Sequence, residues 1–221
     1  MALYVDSAYL PDIIEVERTV ALAGVTTNPT ILLTARERGQ GWGPKSVLSE
    51  LLRSMDGVIF MQPGATEEEE MYAQALAYIQ ALPHRVIPKI PMNLTGMRVA
   101  RRLKHESHRI AFTAVTTVAQ AYSAAMVEAD FIIPYYNRLE RSGVDASERI
   151  AEMFELFHTQ QLPTRILTAS IKSPSDAVCA LAAGAHDITA APKVLLDMVS
   201  DPQTDEAIEK FTQDWQKLHV K

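Results

Sequence analysis

The chain has 221 residues and a mass of 24.5 kDa, with 48% hydrophobic and 22% charged residues, which is an ordinary composition for a globular protein. Its 21 Lys and Arg against 27 Asp and Glu leave a net charge of −6, which argues against a nucleic-acid partner because such proteins need a basic surface. No run of 18 apolar residues occurs, so we expect no membrane span.

The single cysteine and the first residues bear on where the protein resides. Cys179 has no partner for an intramolecular disulfide, which fits a reducing, cytoplasmic setting. Its position within a helical pattern predicts that it packs in the core. The N-terminus has no basic stretch and reaches an acid at Asp6, so we expect no secretory signal.

Short apolar segments with a polar side chain at or near their end recur along the chain and are predicted as β-strands. In chain order they are Leu3–Asp6, Gly24–Asn28, Val58–Gln62, Val86–Ile90, Ile110–Val115, Phe131–Tyr135, Arg165–Ser170 and Asp187–Ala191. Apolar residues at three- and four-residue spacing predict the intervening helices: Lys45–Met55, Glu67–Ala81, Gly96–Glu106, Val118–Glu128, Ala146–His158 and Ser175–Ala183.

Successive strands lie about 26 residues apart, which is the length of a strand, a helix and two short loops. A doubly wound open sheet would alternate in the same way, but neither a GxGxxG nor a Walker A sequence occurs. Eight such units therefore predict an α/β fold, a (β/α)8 TIM barrel, as one domain over 1–221. A further helix at about 204–219 places Ile208, Phe211, Trp215 and Leu218 on one face. It either packs on its own barrel or lies at a subunit interface.

Polar side chains at the carboxyl ends of barrel strands line the active site in this fold. The predicted strand ends supply Asp6, Thr26, Asn28, Gln62, Lys89, Thr113, Tyr135, Ser170 and Thr189. Lys89 lies between apolar residues and prolines in VIPKIP. Loss of hydration there favours the neutral amine, which attacks a carbonyl to form a Schiff base. The alternative is a structural lysine that reaches the rim or pairs with Asp6.

Two groups of residues would assist Schiff-base chemistry. Gln62, Thr113 and Tyr135 could hold a water, with the phenol as acid and base, and Asp6 could act as a base or fix the lysine. Arg138, Ser170 and Lys172 precede a helix predicted to start at Ser173, an arrangement that suits a phosphate group. The alternative for each is an ordinary structural or surface role. No histidine lies at a strand end and no HExxH occurs, so no metal site is predicted.

The motifs, in this order, resemble the small transaldolase-like family of the fructose-6-phosphate aldolase type. They are LYVDSA at 3–8, AGVTTNPTI at 23–31, FMQ at 60–62, KIP at 89–91, TAV at 113–115, PYYNR at 134–138, TASIKSP at 168–174 and FTQDWQ at 211–216. The resemblance implies a TIM barrel without metal or organic cofactor, whose Schiff-base lysine falls on Lys89. It also implies homo-oligomers, pentamers or decamers, in which the terminal helix with Phe211 and Trp215 reaches a neighbour.

The resemblance also implies a role for each site residue. Asp6 and Asn28 would contact the donor's hydroxyls, Gln62, Thr113 and Tyr135 would hold the catalytic water, and Arg138, Ser170 and Lys172 would receive the phosphate of a sugar phosphate. Gln62 and Tyr135 resemble the aldolase side of the family, because transaldolases tend to carry an acid and a Phe there.

The sequence thus predicts a class I aldolase that joins a dihydroxyacetone-type donor to an aldehyde such as glyceraldehyde 3-phosphate. One alternative is a transaldolase that passes the same three-carbon unit between sugar phosphates. Another is a non-catalytic sugar-phosphate-binding protein, because Pro88, Phe112 and Ile133 depart from the family pattern and alter the pocket.

Overall fold

A computed structural model describes residues 1–40 and 43–219. Within them, eight parallel strands close into a barrel in sequential order, which confirms the predicted TIM barrel. The strands are β1 Ala2–Asp6, β2 Gly24–Thr26, β3 Val58–Met61, β4 Val86–Pro91, β5 Ala111–Val115, β6 Phe131–Pro134, β7 Arg165–Ile171 and β8 Asp187–Ala190. β4 pairs with both neighbours although Pro88, which lacks a donor N–H, lies in its middle.

Helices surround the barrel and follow the predicted pattern where they are long. They are α1 Leu10–Glu17, α2 Pro29–Glu37, α3 Pro44–Ser54, α4 Glu68–Ala81, α5 Leu94–His105, α6 Val118–Met126, α7 Tyr136–Arg141, α8 Ala146–Thr159, α9 Pro174–Ala182, α10 Pro192–Asp197 and α11 Pro202–His219. The helices α1, α2, α7 and α10 were not among the predicted ones; each has six to nine residues, which gives a weak helical period, although α6 and α9 at nine residues were predicted.

Side chains that point into the barrel form layers contributed by alternate strands, as strand tilt requires. The strand registers place one layer at the level of the lysine, made of Thr26, Lys89, Ile133 and Thr189 from the even-numbered strands. The layer above it, toward the carboxyl ends, contains Asp6, Gln62, Thr113 and Ala169. The layer below contains Tyr4, Phe60, Ala111 and Leu167.

The amino-terminal end of the barrel is filled and closed. The rings of Tyr4 and Phe60, and of Phe60 and Phe131, meet edge to face at centroid distances of 5.5 and 5.2 Å, a favourable aromatic geometry. Below them the Arg165 guanidinium donates two hydrogen bonds, of 2.9 and 2.7 Å, to the buried Asp187 carboxylate. The amino-terminal end is therefore occupied by side chains, and the predicted site lies at the opposite, carboxyl end of the strands.

Backbone irregularities occur in the two strands that flank β6. The registers of β5 with β6 and of β7 with β8 both shift, and within these shifts Ala114 and Ser170 each have a φ of 60°. An extra residue of this kind turns the side chains that follow it. The two bulges therefore change the direction of the side chains at the carboxyl ends of β5 and β7. Thr113 and Ser170, which were predicted to contribute to a site, lie at these ends.

The terminal helix α11 stands away from the barrel. Phe211 is 67% exposed and Leu218 78% exposed, and Ile208 and Trp215 are exposed as well. The alternative that α11 packs on its own barrel is therefore wrong. The expectation for Cys179 is also wrong, because its side chain is exposed: α9 buries Ala177 and Ala180 instead. No helix in the described part of the chain is long and apolar enough to cross a membrane.

His186 gives the fold a dependence on pH. Burial lowers the pKa of His186 from its ordinary value of about 6.5, Arg165 lowers it further, and Nδ1 accepts a 3.0 Å hydrogen bond from the Ile166 N–H. Below about pH 6.5 the unfolded chain binds a proton that the folded chain excludes. We expect the free energy of unfolding to be constant with respect to this group above that pH and to fall as the pH drops below it.

Denaturant unfolding of His186→Asn between pH 8 and 5 tests this expectation. The variant should be less stable at pH 8 and should lose part of the acid-side slope. His158→Asn is the control, because His158 is exposed and stacks on the same Phe154 ring. An unchanged slope in His186→Asn would contradict the assignment.

Candidate active site

The lysine at the centre of the barrel is buried and lacks an anionic partner. Lys89 is 2% exposed, so it does not reach the rim. Among the residues that the structure describes, no hydrogen bond or ion pair reaches its amine, and Asp6 does not pair with it. Neither structural alternative raised by the sequence is therefore realised. Lys89 is thus a buried lysine without a counter-ion among the described residues.

Asp6 lies in the layer above the lysine and accepts a hydrogen bond from one hydroxyl group. The Thr26 hydroxyl donates a 2.6 Å hydrogen bond to Asp6 Oδ1, and its oxygen lies 2.6 Å from the hydroxyl oxygen of Thr189. Both threonines are at most 1% exposed. The sequence placed them at strand ends without a role, and the closed barrel brings them together beside Asp6.

Thr113 and Tyr135 form a second polar pair at the carboxyl end of the barrel. We call this end, with Asp6, Gln62, Thr113 and Tyr135, the mouth. Their hydroxyl oxygens lie 2.8 Å apart. Gln62 occupies the same layer as Thr113, and its buried Oε1 has no hydrogen-bond partner among the described residues. A buried acceptor of this kind requires a water or a ligand group to satisfy it. The three residues predicted to hold a water thus surround the mouth, although Gln62 does not bond directly to the other two.

A cation lies over the phenol of Tyr135. The guanidinium carbon of Arg138, in α7, is 4.6 Å from the ring centroid, within the range of a cation–π contact. Arg138 is exposed and forms no ion pair with an acid in the part of the chain that the structure describes. Its donors are therefore available to an anion that enters the mouth.

Ser170 and Lys172 lie just before α9. Ser170 lies on the bulge of β7, and Lys172 is exposed. Ser173 caps α9 by accepting a hydrogen bond of 3.1 Å from the Asp176 N–H, which confirms the predicted helix start. Asp176 in turn accepts a 2.9 Å hydrogen bond from the Lys172 N–H. An anion here would therefore rely on side chains and on backbone groups other than that N–H.

Asn28 belongs to the start of a helix rather than to a strand. Its Oδ1 accepts a 2.9 Å hydrogen bond from the Ile31 N–H and caps α2. The cap fixes the amide plane, so the Nδ2 group is presented in one orientation. Beside Gln62 a groove of about 900 Å³ opens between α2, α3 and α4, lined largely by apolar side chains and by Arg36 and Lys45.

The described residues contain no group of three or more His, Cys, Asp or Glu that could hold a metal ion. The expectation that the protein needs no metal or organic cofactor remains a prediction. The polar side chains that the structure does gather at the mouth are hydroxyl, amide, carboxylate, amine and guanidinium groups. These are donors and acceptors for a polyhydroxylated or phosphorylated small molecule.

The fold and the site together define a TIM-barrel protein with a lysine-centred site at the carboxyl ends of its strands. Comparison with known proteins shows the family to which the chain belongs. A family model described as transaldolase/fructose-6-phosphate aldolase matches residues 3–221. The chain therefore belongs to the transaldolase/fructose-6-phosphate aldolase family, which is a family of enzymes.

The chain is similar to relatives of about its own length over nearly the whole of both sequences. The chain is 36% identical over 218 residues to a probable transaldolase of Desulforudis audaxviator, covering 99% of both chains. It is 35% identical over 216 residues to a probable transaldolase of Symbiobacterium thermophilum, covering 98% of this chain and 97% of the relative. It is 35% identical to probable transaldolase 2 of Bacillus anthracis, covering 98% of both.

Proposed function

We propose that the protein catalyses class I aldol chemistry through a Schiff base on Lys89. The observation that carries this proposal is the burial of Lys89 at 2% exposure without an anionic partner, directly below the layer that holds Asp6, Gln62 and Thr113. A lysine that served only to stabilise the barrel would need a counter-ion to offset its desolvation.

In the cleavage direction, the Lys89 amine adds to the ketone carbon of the sugar, and the ketone oxygen leaves as water to give an iminium. The C3–C4 bond then breaks, its electron pair forms an enamine, and the proton of the C4 hydroxyl passes to a base. Protonation of the enamine carbon and addition of water to the iminium release a dihydroxyacetone-type ketone and restore the amine.

Release of the free ketone is the aldolase outcome, and it needs a proton donor and a water at the enamine. The paired hydroxyls of Thr113 and Tyr135 and the unsatisfied Oε1 of Gln62 support a water site there. We therefore assign Tyr135 as the acid and base that works through this water. The substrates are a dihydroxyacetone-type donor and an aldehyde such as glyceraldehyde 3-phosphate.

Transaldolase activity is the second candidate, and the names of the relatives favour it. A transaldolase would pass the enamine to a second aldehyde instead of protonating it. Fructose 6-phosphate supplied with and without erythrose 4-phosphate separates the two activities. An aldolase releases dihydroxyacetone from fructose 6-phosphate alone, whereas a transaldolase needs the acceptor.

Borohydride reduction in the presence of dihydroxyacetone tests the Schiff base itself. Intact mass should increase by one reduced three-carbon unit, and peptide mapping should place it on Lys89. A folded sample that forms no adduct would overturn the proposal and favour the non-catalytic sugar-phosphate-binding alternative. An adduct on another lysine would overturn the assignment of Lys89.

Arg138, Ser170 and Lys172 are the proposed phosphate ligands. Charge-assisted hydrogen bonds to phosphate are roughly twice as strong as neutral ones, so we expect Arg138→Met to raise the KM for glyceraldehyde 3-phosphate by about 10- to 100-fold. The KM for unphosphorylated glyceraldehyde should change by less than about threefold. Arg141→Met, an exposed arginine in the same helix, is the control. Equal losses with both aldehydes would contradict a phosphate role.

We further propose that the protein is a homo-oligomer, a pentamer or decamer, in which α11 packs on a second copy of the chain. The exposed apolar face of α11 supports this, because Phe211 and Leu218 would otherwise face water. Phe211→Asp should dissociate the assembly in light scattering after size-exclusion chromatography. Gln213→Asp adds the same charge on the opposite face and should leave it intact. Equal masses for the two variants would contradict the proposal.

A further inference from the structure

A directed chain of hydrogen bonds leads into Asp6 from inside the barrel. The Thr26 oxygen lies 2.6 Å from Asp6 Oδ1 and 2.6 Å from the Thr189 oxygen. The two threonines come from β2 and β8, on either side of β1, and share one interior layer with Lys89. The three groups therefore form a continuous link across β1.

The number of protons fixes the direction of this chain. A carboxylate accepts hydrogen bonds and donates none, so the single proton of the Thr26 hydroxyl lies toward Asp6. Thr26 must then accept from Thr189, whose proton has no other acceptor among the described residues. In the reverse direction Thr189 would be left with a buried proton and nothing to bond, which is unfavourable.

We infer that Thr189 is a positioning residue for the reaction, acting through Thr26 on Asp6. This inference rests on the proposed function and on the expectation, implied by the family resemblance, that Asp6 contacts the hydroxyls of the donor. The Thr189 proton fixes the Thr26 hydroxyl rotor, and Thr26 in turn restrains the carboxylate through Oδ1, while Oδ2 has no hydrogen-bond partner among the described residues. Both threonines lie one layer below Asp6, and the inferred role of Thr189 passes through the carboxylate of Asp6 rather than through a contact of its own with the substrate.

Thr189→Val removes the hydroxyl at constant shape and tests the inference. The chain offers a matched control in Thr168→Val. Thr168 lies on the neighbouring strand β7, is fully buried, and its hydroxyl has no hydrogen-bond partner among the described residues. Thr189→Ser keeps the hydroxyl and removes the methyl group, and so separates hydrogen bonding from packing.

We expect Thr189→Val to lower kcat for cleavage of fructose 6-phosphate by about threefold to tenfold, the range for loss of one hydrogen bond in the transition state. The KM should change by less than about twofold. Thr189→Ser and Thr168→Val should retain kcat within about twofold of wild type. All variants should still form the borohydride adduct on Lys89.

A kcat for Thr189→Val equal to that of Thr168→Val would overturn the inference alone, as would a Thr189→Ser variant as slow as Thr189→Val. A wild-type protein without adduct or turnover would overturn the proposed function and the inference together. If Thr189→Val does not fold by circular dichroism, Thr189→Ala removes the same hydroxyl with a smaller side chain that places no methyl group against Thr26, and it is held to the same outcomes.

Discussion

We expect Lys89→Met to abolish turnover, lowering kcat by on the order of 10⁶-fold, which is the low end of enzymatic rate accelerations. The reason is that no other amine lies in the interior layer at which the strand registers place Lys89, so the covalent step has no substitute. The borohydride adduct should disappear with it. Turnover and intact mass after reduction are the two measurements.

Stability distinguishes catalysis from a structural role for the same lysine. Methionine fills a similar volume without burying an amine, so Lys89→Met should unfold at the same or a higher temperature than wild type. Lys193→Met, which removes an exposed lysine paired with Asp197, should leave both activity and adduct unchanged. A Lys89→Met protein that fails to fold would support the structural role instead.

Tyr135→Phe should lower kcat by about 10²- to 10⁴-fold, the usual contribution of a general acid or base. The phenyl ring remains under Arg138, so the loss isolates the hydroxyl that lies 2.8 Å from Thr113. The Schiff base should still form, because the amine is untouched. Borohydride trapping would then give the wild-type adduct while steady-state release of dihydroxyacetone is slow.

The neighbouring tyrosine supplies the control for this prediction. The Tyr136 hydroxyl also pairs with one hydroxyl, that of Ser147 at 2.8 Å, but it does so on the outside of the barrel against α8. Tyr136→Phe should therefore keep kcat within about twofold. Equal effects of the two substitutions would argue that Tyr135 acts through packing, and a wild-type rate in Tyr135→Phe would remove it from the mechanism.

The strand repeat made the barrel predictable because each strand is buried on both faces and carries its own apolar signal. The short helices gave no such signal: α7 and α10 span six residues each, less than two helical turns. The outward exposure of α11 could not be predicted either. An apolar helical stripe has the same sequence whether it packs on its own barrel or on another chain.

The composition of the mouth was predictable to a similar extent. Carboxyl ends of parallel strands meet at one end of the barrel, so the sequence predicted that Asp6, Gln62, Thr113 and Tyr135 would lie there. It could not predict that Thr26 and Thr189 bond to each other, because β2 and β8 come to lie on either side of β1 only when the sheet closes, and the stagger of the closed barrel sets which side chains share a layer. The exposure of Cys179 depends in the same way on which side of α9 meets the barrel.

The closed amino-terminal end has a consequence for the order of events at Lys89. Beneath the lysine layer lie Tyr4, Phe60 and Leu167, all buried, and beneath them Arg165 pairs with Asp187. In the proposed reaction, water and the aldehyde would therefore both approach the intermediate on Lys89 from the carboxyl end of the barrel. Hydrolysis and transfer to a second aldehyde would then compete for access to the same end of the barrel. An aldehyde product that dissociates slowly would shield the intermediate from water. In the proposed reaction, the ratio of aldolase to transaldolase activity would then depend on how fast the aldehyde product dissociates as well as on the groups around the amine.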